Sequence, residues 1–84
     1  MDILDEIRLE SAKSEIIQKR RGIDMSPPIR ASIRNENVKK KTDPTHISVD
    51  VIAINISEDN HYMYLTETAS GTRKYKLEKE VKFV

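Results

Sequence analysis

An 84-residue chain with 15 lysines and arginines, 14 aspartates and glutamates and no cysteine reads as one small domain held together by packing. A chain of this length buries only about 60% of the surface its unfolded form exposes, and without thiols it has neither a disulfide framework nor a thiolate metal site to supplement the core. The net charge of +1 conceals an uneven distribution: residues 1–12 carry −3, residues 13–41 carry +6, and residues 42–84 carry −2.

No apolar run approaches the roughly 18 residues of a membrane span; Val51 to Ile54 is only four long. Asp2, Asp5, Glu6 and Glu10 give the first 20 residues the wrong charge for a secretory signal, so the expectation is a cytoplasmic protein with no membrane contact.

Residues 3–21 predict one helix, because straight-chain residues dominate and no Gly or Pro interrupts. Asp2 can cap the first turn, with Asp5 and Glu6 at the positive end of the helix dipole and Lys19, Arg20 and Arg21 at the negative end. Gly22 suits a left-handed position past the last turn, and Glu15 with Lys19 forms an i,i+4 pair. The apolar positions fall on two sides: Ile3, Leu4, Ile7 and Ile17 on one, Leu9, Ala12 and Ile16 nearly opposite. One side covers the sheet, and the expectation is that Leu9, Ala12 and Ile16 are left for a protein partner.

Residues 22–45 form a basic connecting segment too long to be a structureless loop in so small a domain. Ile29, Ala31 and Ile33 alternate with Arg30, Ser32 and Arg34 just after Pro27 and Pro28, which predicts a first strand over 29–35. Residues 35–45, including Lys39, Lys40 and Lys41, then make a polar connection.

Residues 46–84 predict a β-meander. Ile47, Val49 and Val51 share one parity while Ile52, Ile54 and Ile56 share the other. Such a strand is either buried on both faces or bulged near Val51 and Ile52, and either makes it central in a curved sheet. Residues 57–60 and 69–72 are turns, the second with Gly71 at a left-handed position. Between them Tyr62 and Tyr64 alternate with Met63 and Leu65. Lys74 and Lys76 alternate with Tyr75 and Leu77, and the parity of Tyr75 and Leu77 resumes at Val81 and Phe83, with a break at Glu78 to Glu80. The expected architecture is α+β: an N-terminal helix followed by a curved four-stranded antiparallel sheet, close to a small partial barrel.

Chemistry is sparse. Asp43, His46, Asp50 and His61 match no metal-ligand spacing, so no metal and no cofactor is expected. The chain has no Cys nucleophile and no Gly-x-Ser-x-Gly elbow, and two glycines cannot build a phosphate loop. Asn55-Ile56-Ser57 is a chance match to the glycosylation pattern. The sequence thus points away from an enzyme.

Two binding functions remain. Docking on a protein, as an inhibitor, regulator or assembly subunit, would use Leu9, Ala12 and Ile16 for buried area and Arg20, Arg21, Arg30, Arg34 and Lys39 to Lys41 to orient an acidic partner. The alternative is RNA or DNA binding, with Arg30, Arg34, Lys39 to Lys41, Lys74 and Lys76 on phosphates and Tyr62 or Tyr64 stacking on bases. Homo-oligomerisation through the helix is a third use of the same stripe. In general character the chain is similar to many short proteins of phages and other mobile elements, although no motif assigns it to a family.

Overall fold

The computed structural model describes residues 1–84. Its elements run α1 (Ile3–Lys19), β1 (Ile23–Arg34), β2 (His46–Ile56), β3 (Tyr62–Glu67), β4 (Arg73–Leu77), a one-turn 3-10 helix (Glu78–Glu80) and β5 (Val81–Phe83). The architecture is the expected helix followed by a curved antiparallel sheet, with five strands in place of four, in the order β4-β3-β2-β1-β5.

The helix starts as its sequence dictates, with the Asp2 carboxylate accepting the backbone N–H of Asp5 at 2.9 Å. It ends two residues earlier than the glycine signal suggests. Arg20 takes the left-handed conformation, φ 55°, and donates its N–H to the carbonyl of Ile16. Gly22 serves a different need: a Cβ there would lie 3.4 Å from the carbonyl oxygen of Ile54, so the residue lets the chain pass close to β2.

The first strand begins at Ile23, six residues before the alternation becomes visible. Pro27 and Pro28 have no N–H to give the ladder, and pairing with β2 jumps from Asp24↔Ala53 to Ile29↔Val51 across them. On β2 the parity reversal has its expected cause: the register with β3 shifts between Val51 and Ala53, leaving Ile52 as the extra residue of a bulge. Val49, Val51 and Ile54 consequently all reach the core.

The sheet curls into a half-barrel. β4 and β5 lie at opposite edges of the sheet, yet the three-residue 3-10 helix alone connects them. The ring of Tyr64 on β3 meets that of Phe83 on β5 edge to face, centroids 5.3 Å apart. In a flat sheet those strands would stand about 14 Å apart, three strand spacings. Strong curvature brings them face to face, and α1 packs against β1 and β2 inside the curve.

Candidate functional site

The helix faces the sheet with the stripe expected to be free. Leu9, Ala12 and Ile16 belong to the core, Ile16 with no exposed surface, and are therefore closed to a partner. The opposite stripe is the exposed one: Ile3 is 70% exposed, Leu4 68%, Ile7 59% and Ile17 55%. The reason lies in what shares each face. Glu10 and Ser14 project between Ile7 and Ile17, so packing that side on the sheet would bury polar groups without partners, whereas Ala12 between Leu9 and Ile16 lets the helix approach the sheet closely. Met1, Ile3, Ile7 and the rim of Leu9 line a shallow depression that also includes Glu6 and Glu10.

The bases between residues 20 and 41 do not gather into one patch. Arg20 and Arg21 precede β1 near the β2–β3 turn, where Arg20 donates to the side-chain oxygen of Asn60 at 2.7 Å. Arg34 pairs in register with His46 at the far end of the β1–β2 ribbon, and Lys39 to Lys41 sit exposed in the connection beyond it. Arg30, between them, is bound to Asp50 at 3.1 Å. The molecule is 44 Å along its longest axis, and the strands of a ribbon this long separate its ends by about 35 Å.

The tyrosines proposed for base stacking are occupied elsewhere. Tyr64 is fully buried and donates its hydroxyl to Glu78 Oε2 at 3.0 Å. Tyr62 is partly buried; the Lys13 ammonium lies 5.2 Å from its ring centroid, and its hydroxyl donates to the Lys13 carbonyl. The Lys13 ammonium also bridges to Glu78 Oε2 at 2.9 Å. Burial pushes the Tyr64 phenol up to about 12 against the pull of Lys13. Burial would lower Lys13, but hydrogen bonding to Glu78 and Tyr64 outweighs it and the ammonium titrates above its usual value. The same bond from Lys13 holds Glu78 below the usual carboxylate range.

On β4 the alternation turns the lysines inward. Tyr75 and Leu77 point outward and are exposed, while Lys76, opposite Tyr64, lies on the inner face with its side chain only 10% exposed. The 3-10 helix changes the phase between β4 and β5, so Val81 turns inward although Tyr75 and Leu77 do not. Lys74 and Lys76 both bind the carboxylate of Glu36, from the β1–β2 connection. Hydrogen bonds from Lys76 and then Lys74 lower the Glu36 carboxyl to about 2. Nothing in local sequence connects residue 36 with residues 74 and 76, and this cluster escaped the sequence reading.

His46 stands at one end of β2 and His61 beyond the other, and no three His, Cys, Asp or Glu side chains come close enough to hold a metal ion. No helix is long and apolar enough to cross a membrane. Among known proteins, no family model, no curated protein and no solved structure matches the chain.

Proposed function

We propose that the protein is a non-enzymatic binding protein that docks on another protein through the outer face of α1, acting as an inhibitor, regulator or assembly subunit. The observation that carries this reading is the exposure of Ile3, Leu4, Ile7 and Ile17 on a helix whose other side is packed. Burying the remaining surface of four large aliphatic side chains would contribute about 5 kcal/mol before the costs of association. An amphipathic helix laid in an apolar groove is a recurrent mode of protein recognition.

Charge specifies the groove. Glu6 and Glu10 flank Ile3 and Ile7 on the outer face, while Asp2 caps the first turn and Arg8 is engaged with Asp5 and the Pro27 carbonyl. The complementary partner is an apolar groove with a basic rim. A second copy of the same face would set acid against acid, which disfavours a symmetric dimer there.

The test replaces Ile3 and Ile7 together by Asp, with a photoreactive residue at position 4 in the parent protein. Expected are an unchanged fold, loss of partner capture that resists nuclease treatment, and one cross-linked protein from position 4. Capture that survives the double substitution, or a cross-link only to a second copy, would overturn the reading.

A further inference from the structure

Lys76 occupies a place where an amphipathic strand ordinarily puts an apolar residue. It pairs with Tyr64 across β3 and β4, and its side chain is only 10% exposed. A lysine on the inner face of a sheet needs a polar partner within reach. That partner comes from outside the sheet: Glu36 belongs to the loop after β1, and its side chain is 52% exposed. The carboxylate bridges Lys76 and Lys74, 3.1 Å from the latter.

Beside this bridge is a cavity of about 60 Å³ whose walls include Arg34, Thr66, Thr68, Lys74 and Lys76. A single water needs roughly 10–15 Å³, so the space admits a group of several heavy atoms. Three cations on its walls face one carboxylate, leaving a local excess of positive charge. Lys79 and Glu80 lie just outside, next to His46, and their charges offset each other.

We propose that this cavity is a binding site for a phosphate-type oxyanion, anchored by Lys74 and Lys76, with Glu36 as a built-in competitor that swings out when the ligand enters. Exchange of one anion for another keeps Lys76 paired throughout, so its burial does not oppose entry. A dianion presents more acceptor oxygens than a carboxylate and can reach Arg34 as well. The Thr68 hydroxyl, now tied to Ser70 and to the Thr72 N–H, can rotate to donate. Departure of Glu36 breaks no strand pairing, because the residue lies beyond the last β1–β2 pair, Arg34↔His46. The site is independent of the helix face proposed for docking.

The experiment titrates the ¹⁵N-labelled protein with inorganic phosphate and, separately, O-phosphoserine, against chloride at matched ionic strength. Glu36→Gln should bind phosphate at least tenfold more tightly than the parent protein, with saturable amide shifts confined to residues 34–37 and 66–76. Lys76→Met in the Glu36→Gln background should abolish them. Tighter binding of phosphoserine than of phosphate identifies an ester as the source, and the reverse order identifies free phosphate. Shifts that do not saturate, that chloride reproduces, or that Glu36→Gln leaves no tighter overturn the proposal. Should Glu36→Gln unfold, restoration of its melting transition by phosphate but not chloride supports the site, and failure of both to restore it overturns it.

Discussion

Lys13 and Glu78 meet inside the curve of the sheet, Nζ to Oε2 at 2.9 Å, and join the middle of α1 to the turn that carries the chain from one sheet edge to the other. Tyr64 donates to the same carboxylate oxygen, so helix, β3 and closing turn share one acceptor. Glu78 remains half-exposed, which places the pair near the upper end of the range for surface ion pairs. Lys13→Met and Glu78→Gln should each lower stability by about 1 kcal/mol, and the double variant by clearly less than their sum. Urea titration of the three variants checks this, and strict additivity would show that the two groups act separately.

The shifted groups fix how stability depends on pH. Glu36 and Glu78 titrate lower in the folded protein than in the unfolded chain. Their contribution is complete above the unfolded value of 4.5 and is lost as the pH falls toward the folded value, about 2 for Glu36. Lys13 and Tyr64 titrate higher when folded, so their contribution is complete below about pH 10 and is lost as the pH rises toward about 12. The melting temperature should therefore be flat from about pH 5 to 10 and fall on both sides. Glu36→Gln should weaken the acid limb and converge with the parent protein only below about pH 2, where a protonated Glu36 resembles Gln. Parallel acid limbs in the two proteins would show that Glu36 does not contribute.

Some of this fold is visible in the chain. The reversal of parity between Val51 and Ile52 announces the bulge, because period two cannot otherwise bury both Val49 and Ile54. The choice of helix face is not visible, since counting aliphatic residues favours Ile3, Leu4, Ile7 and Ile17, while packing favours the stripe centred on the small Ala12. Pro27 and Pro28 hide the first part of β1, because they interrupt the alternation without ending the strand. The Glu36 cluster is illegible for a different reason: residues 38 and 40 positions apart meet only after β4 has curled back past the β1–β2 connection.

The left-handed residue at the helix end offers a stabilising change. Arg20 holds φ 55° against the steric cost that a Cβ imposes there, and glycine removes that cost. Arg20→Gly also forfeits an exposed hydrogen bond to Asn60, worth less than a buried one. The balance should be a gain of about 0.5 kcal/mol, or roughly 2–4 °C in the melting temperature of a domain this size. A lower melting temperature would mean that the Asn60 contact, which ties the helix end to the β2–β3 turn, outweighs the backbone term.

The orientation of α1 underlies both the fold and the proposed docking face, and two substitutions of similar chemistry separate them. Ile16 has no exposed surface and packs among the buried side chains of β1, β2 and β3, so Ile16→Ala removes three methyl or methylene groups and leaves a cavity. The expected loss is about 3 kcal/mol, a large share of the total stability of so small a domain. Ile7, on the opposite side, has more than half its surface in water already, and Ile7→Ala should change stability by less than about 0.5 kcal/mol. Urea titration with a constant slope for all three proteins measures both values. Equal losses at positions 7 and 16 would mean that the helix is buried on both sides, and the outer face would then have no surface to offer a partner.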